Sequence, residues 1–156
     1  MDRYTIDDIC EQVKIVVRES LDVQEDEVQL SSNLVRDLDG ESIDFLDIVF
    51  RLERAFRIKI ERGQLERTLR DQFPEQTIKP NSELSPQLRA ALADLLPEVP
   101  REQVDEIRKL KEITSLFTVA TFVRFTIRTL LKTRPDTLIE GEPAPGFTPV
   151  QLGLTG

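Results

Sequence analysis

The stretch Asp37-Leu38-Asp39-Gly40-Glu41-Ser42-Ile43-Asp44 decides how this chain is read. Asp39-Gly40 marks a turn, and directly after it the chain becomes apolar at helical spacing. Leu46, Val49, Leu52, Glu53 and Phe56 follow an i, i+3 pattern in which only Glu53 is polar, so a helix is predicted from Ser42 to about Arg57. Ile43, Phe45, Ile48 and Phe50 widen the apolar band beyond one stripe. Near its start this helix is apolar on more than half its surface. Either it is buried centrally, or part of that surface meets something other than its own core. An acidic, glycine-containing loop therefore delivers a serine to the first turn of an over-apolar helix. Taken alone, a serine there is an N-cap.

Upstream, Ile6, Ile9, Val13, Val16 and Val17 predict a first helix over about Ile6–Leu21, with Thr5 as its cap and Asp8 three residues on. The long polar loop from about 22 to 41 has sparse apolar residues (Val23, Val28, Leu30, Leu34, Val35 and Leu38) that can pin it to a core. Long loops of this kind in compact domains are usually functional. Downstream, a short helix is expected over 64–73 and a linker over 74–80. A helix opens at Ser85-Pro86, with Leu88, Leu92, Leu95 and Leu96 as its face, and a further one opens at Pro100 with Val104, Ile107 and Leu110. A last helix is expected over about Ser115–Lys132, carrying Leu116, Val119, Ala120, Val123, Ile127 and Leu130. Residues 135–156, with Pro143, Pro145, Pro149 and four glycines, are expected to form a disordered tail.

The 156 residues, 39% apolar and 32% charged, can bury a core and stay dissolved. No apolar run approaches the roughly 20 residues that span a bilayer, and the first ten residues read as no secretory leader. Cys10 is the sole cysteine, which fits a reducing cytoplasm. Histidine is absent, which removes the commonest general base and most zinc sites, so neither a catalytic residue nor a metal ligand is assigned. The net charge of −8 is uneven: residues 1–60 hold 15 acids against 8 bases, while 61–134 hold 11 against 13. Between Leu21 and Asp47, nine acids face Arg36 alone. Such a surface repels nucleic acid and anionic lipid, attracts basic partner proteins, or simply keeps the protein in solution.

The segment Asp37–Asp44 resembles the acyl carrier protein family, whose signature Asp-Leu-Gly-x-Asp-Ser-Leu precedes a helix. Here glycine sits one residue late at Gly40, Glu41 stands where the family has Asp, and Ile43 follows the serine instead of Leu. The likeness extends to the first helix, to Val28 and Leu34, to Leu46-Asp47-Ile48-Val49, and to the run from Leu52 through Phe56, Ile58 and Ile60. It covers residues 5–60 well and 114–132 more weakly. The bases Arg51, Arg54, Arg57 and Lys59 depart from a helix that is usually acidic in the family. The run Ile43–Phe50 is also similar to specialised carriers of very long chains for lipid A, although Phe45 and Phe50 read equally as ordinary core residues.

The resemblance implies an all-α, acyl-carrier-like helical bundle over 1–134, with a long first loop and an inserted helical segment (about 61–113) replacing the third helix. It implies that Ser42 carries a 4'-phosphopantetheine arm, moved from coenzyme A by a phosphopantetheinyl transferase, which holds acyl chains as thioesters for fatty acid or lipid biosynthesis. Such a phosphoprotein is a carrier acted on by other enzymes, among them ketosynthases and acyltransferases with basic patches. Glu41, Asp44, Asp47, Glu53, Ile43 and Phe50 are the expected docking residues, and Phe45, Leu46, Val49 and Val123 the expected acyl pocket. Two alternatives stand beside this reading: a carrier-like interaction module without the arm, and a polyketide-type carrier. The insertion has three readings: a larger acyl pocket, a docking platform, or a dimer interface on an otherwise monomeric chain.

Overall fold

The computed structural model describes residues 2–155. The chain begins with a short strand, β1 (Arg3–Thr5), and runs into α1 (Ile6–Leu21). Thr5 caps α1 as its sequence predicts, its hydroxyl accepting the Asp8 N–H at 3.0 Å. Ile6, Ile9, Cys10, Val13, Val16 and Val17 form the buried face. Burial pushes the Cys10 thiol up to about 11, so it stays protonated and inert. The helix stops at Asp22, whose left-handed φ of 55° breaks it.

A loop with one 3-10 turn (Glu25–Glu27) leads to α2 (Ser42–Phe56). Then come α3 (Gln64–Gln72), α4 (Pro86–Leu95), α5 (Arg101–Glu106), a 3-10 stretch over Leu110–Leu116, α6 (Val119–Thr133) and a strand, β2 (Leu138–Glu140). Ser85 caps α4 through its hydroxyl to the Leu88 N–H at 3.1 Å, with Pro86 at the first position. α1 packs against both α2 and α6, which gives the carrier-like helical bundle.

Apolar residues divide into two clusters. One unites α1, the first loop, α2 and α6 with Leu152 from the C-terminal segment. The other is confined to 69–116: Leu69, Leu88, Leu92, Leu96, Val104, Leu110 and their neighbours. Phe117 packs against both. The insertion is tied to the bundle by polar contacts as well. Glu98, buried, accepts from the Thr121 hydroxyl at 2.6 Å and pairs with Arg124 Nε at 2.8 Å. Arg36 in the first loop meets Glu106 of α5 at 2.6 Å.

Two expectations need correction. The last helix starts at Val119 rather than Ser115, because Thr118 caps it: its hydroxyl accepts the Thr121 N–H at 3.2 Å, while residues 110–116 wind as a 3-10 stretch. The segment 135–156, expected to be disordered, is packed. β2 pairs in parallel with β1, Arg3 opposite Leu138 and Thr5 opposite Glu140. Leu152 is fully buried, and Phe147 and Leu154 pack on the bundle core. Gly153, at φ 83°, lies so close to α6 that a Cβ would stand 2.9 Å from the Arg124 carbonyl oxygen. The apolar residues of this segment are few and spaced by prolines, so periodicity did not reveal them; tertiary contacts order them.

Candidate functional site

The loop that presents Ser42 is held by backbone hydrogen bonding to α6. The first two N–H groups of α6 have no partner within the helix. Val119 N–H donates to Ser32 O at 3.0 Å and Ala120 N–H to Leu30 O at 2.9 Å. In return Leu34 N–H donates to Phe117 O at 3.0 Å. Asn33, buried, is the centre of this arrangement. Its side-chain amide donates to Ser115 O at 2.8 Å, and its side-chain oxygen accepts from the N–H groups of Val35 and Arg36, each at 3.0 Å. Asp37 accepts the Asn33 N–H at 2.8 Å. Sequence reasoning missed Asn33; Asn followed four residues later by Asp in a turn-rich loop was the available signal.

The turn before Ser42 explains the displaced glycine. Asp39 adopts a left-handed φ of 58° at the position where the family signature carries glycine. Aspartate tolerates that region better than most residues. Gly40 is needed for a different reason. Its N–H donates to Leu34 O at 2.6 Å, and a Cβ there would stand 2.8 Å from that same oxygen. The two demands, a left-handed turn and a close approach, fall on adjacent residues.

Glu41 is the N-cap of α2, and its backbone N–H is taken by the Asp44 carboxylate at 2.8 Å. Ser42 is then the first residue of the helix, and it is exposed. A phosphodiester on its hydroxyl would lie at the positive end of the helix dipole without displacing any core side chain. The residues present fit a phosphopantetheine group.

The expected docking residues divide. Ile43 and Phe50 are exposed at 72% and 44%, and Glu41 is exposed as well. Asp44, Asp47 and Glu53 are half-buried and locally engaged. The Ser20 hydroxyl, and after it the Arg51 guanidinium, hold the Asp47 carboxyl below its usual range; they lie at 2.7 and 2.9 Å. Glu53 accepts the Ile60 N–H at 2.8 Å and fixes the exit of α2.

The expected acyl-pocket residues do not share one surface. Phe45 and Val123 are buried in the core and Val49 packs at its edge. Phe45 belongs to a group of tilted rings with Phe117 and Phe122, at centroid distances of 6.0 and 6.2 Å. Leu46, expected in the pocket, is instead 39% exposed. With Ile43 and Phe50 it forms a stripe at i, i+3 and i+7 running away from Ser42, because the inward face of α2 is already filled by Phe45, Ile48, Leu52 and Phe56. A cleft of about 490 Å³ lies elsewhere, between α1 and the first loop, lined by Lys14, Arg18 and Gln24 among others, and does not include Ser42.

Comparison with known proteins agrees with this arrangement. A family model described as a phosphopantetheine attachment site matches residues 11–72, from α1 to the end of α3. The chain is 36% identical over 63 residues to an acyl carrier protein of Petrotoga mobilis, covering 40% of this chain and 74% of that one. It is likewise 36% identical over 58 residues to an acyl carrier protein of Borrelia garinii, covering 37% and 72%, and 36% identical over 62 residues to one of Campylobacter lari, covering 40% and 80%. No solved structure matches the chain. A serine-bearing helix start on a carrier-like bundle, a matching attachment-site model and relatives covered over most of their length place this chain in the acyl carrier protein family, whose members bear covalent 4'-phosphopantetheine.

Proposed function

We propose that Ser42 is the attachment residue, and that the chain is a carrier, not an enzyme, that hands acyl groups between partners in fatty acid or lipid biosynthesis. The observation that carries this is the exposure of Ser42 at the first position of α2, behind a turn built by Asp39, Gly40 and Asn33. The arm supplies a terminal thiol that holds an acyl chain as a thioester. The transferase brings the base that activates the Ser42 hydroxyl, since this chain has no histidine. Ile43, Leu46 and Phe50, with Glu41 beside Ser42, meet partner enzymes such as the transferase, ketosynthases and acyltransferases. Phe45, Val49 and Val123 are what an acyl chain meets on entering between α2 and α6, parting the ring cluster as it goes. The run Ile43–Phe50 and the added helices support a carrier of long chains of the lipid A type working in the cytoplasm.

The insertion reads best as a docking platform. Its leucines Leu88, Leu92, Leu96 and Leu110 are consumed in its own core, which leaves them neither lining a pocket nor facing a second copy. The test is labelling with a fluorescent coenzyme A analogue and a broad-specificity phosphopantetheinyl transferase. Native chain takes the label and Ser42→Ala does not. A native chain that stays unlabelled would identify an interaction module without an arm.

A further inference from the structure

The outward face of α2 changes character along its length. Ile43, Leu46 and Phe50 make its first half apolar, Arg54 continues the same face at i+4 from Phe50, and Arg57, exposed, is the left-handed residue that ends the helix. Lys59 and Arg62 follow, both exposed. Among the described residues, Arg51 is paired, to Asp47 at 2.9 Å and Glu19 at 3.5 Å. Among the described residues, Arg54, Arg57, Lys59 and Arg62 have no carboxylate at ion-pairing distance, and the Glu53 carboxylate beside them is turned to the Ile60 N–H. Arg62 lies over the Phe50 ring at 4.7 Å, so the basic group and the apolar stripe are continuous. Asp37, Asp39, Glu41 and Asp44 lie at the opposite end, beside Ser42, whereas Asp47 is taken by Arg51 and Glu61, next to Arg62, by Arg67 at 2.8 Å. One helix face is therefore acidic at the serine, apolar in the middle and basic about 18 Å further along, at 1.5 Å per residue.

We infer that this face docks a partner protein of reciprocal charge: basic around the entrance that receives the arm, with an apolar socket for Ile43, Leu46 and Phe50, and carboxylates facing Arg54, Arg57 and Arg62. The inference rests on the carrier reading of Ser42. A partner basic along the whole length of α2 would meet four unpaired like charges and be turned away, so the patch selects partners as well as binding them. An anionic membrane fits less well, since Glu41 and Asp44 at the start of α2 would be pressed against it together with the apolar stripe and the arginines.

The test uses the chain loaded at Ser42 with an octanoyl-phosphopantetheine arm. It is offered to a ketosynthase with a basic docking face, and to the same ketosynthase with the docking bases furthest from its entrance reversed to Glu. The native chain is expected to show a kcat/KM about tenfold higher with the reversed enzyme, an advantage that shrinks as salt rises. Arg54→Glu/Arg57→Glu is expected to invert the preference, and Arg54→Gln/Arg57→Gln to abolish it. Circular dichroism checks that both variants fold. The same ratio in native chain and double variants overturns the inference, as does co-sedimentation with phosphatidylglycerol vesicles that the reversal abolishes. Intact mass reads the loading separately: an unloaded native chain removes the carrier reading, whereas loaded chains with unchanged ratios remove only the docking one.

Discussion

The bundle and the insertion are both packed from apolar side chains, yet they present different surfaces. The bundle core joins residues far apart in sequence, 6–60 with 119–152, whereas the insertion core is local, within 69–116. Among the described residues, the large apolar side chains that remain exposed (Ile43, Leu46, Phe50, Leu138 and Val150) all lie outside the insertion. The insertion is sealed; the bundle keeps an open apolar stripe beside Ser42. Apolar surface left uncovered on a protein that otherwise packs its core well marks a place for contact. The exposed apolar stripe thus belongs to the bundle, at the end of α2 that bears Ser42.

The connection between the two regions should be their most sensitive point. Glu98→Gln leaves the Arg124 guanidinium without its counter-charge in a nearly buried position, and is expected to cost about 3–5 kcal/mol in urea unfolding. If the change is below about 1 kcal/mol, the junction is not held by this pair. The two cores can then be probed separately. Leu52→Ala and Leu92→Ala each empty a fully buried site, and each is expected to cost about 2–5 kcal/mol. Hydrogen exchange should locate the first loss across α1, α2 and α6, and the second across α3 to α5. Uniform loss from both would mean that the cores unfold as one. Gly40→Ala drives a methyl against the Leu34 carbonyl, and a cost of about 1–3 kcal/mol is expected together with slower loading of Ser42. Normal loading kinetics would show that the turn does not position the serine.

The smallest effect concerns acid. The Asp47 carboxyl is held below its ordinary pKa, so its contribution is present above the unfolded value of about 3.9 and is lost as pH falls through the folded one. Asp47→Asn should flatten the acid limb of a stability–pH curve below about pH 4 and lower the neutral plateau slightly, so that the two curves converge in acid. With the side chain half exposed, solvent screening keeps the effect slight. An unchanged acid limb would show that the Ser20 and Arg51 contacts do not persist in solution.

The helices that carry the site were legible because their apolar spacing and caps agree: α1 begins after Thr5, and α2 begins at Ser42, as the pattern requires. Which side of α2 faces inward was only partly legible. A helix apolar on more than half its surface has two candidate faces, and Leu46 belongs to the outer one because Ile48 and Leu52 already occupy the inner one, against α1 and α6. The hidden part was the polar framework. Asn33, Glu98 and Arg134 act through one or a few long-range bonds that leave no periodic trace. Arg134, for instance, donates to the carbonyls of Phe56 and Arg57 at 2.8 and 2.9 Å and closes the end of α2. The packed segment 135–156 was missed for the same reason, since a two-strand parallel pair and one buried leucine carry too little pattern to be seen.

The most direct test of the central claim is peptide-resolved mass spectrometry of the chain after co-expression with a phosphopantetheinyl transferase. The account predicts a phosphopantetheine adduct on the peptide spanning Asp37–Arg51, fragmenting to place the modification on Ser42, and no adduct in Ser42→Ala. An adduct on another residue, or one that survives Ser42→Ala, would contradict it.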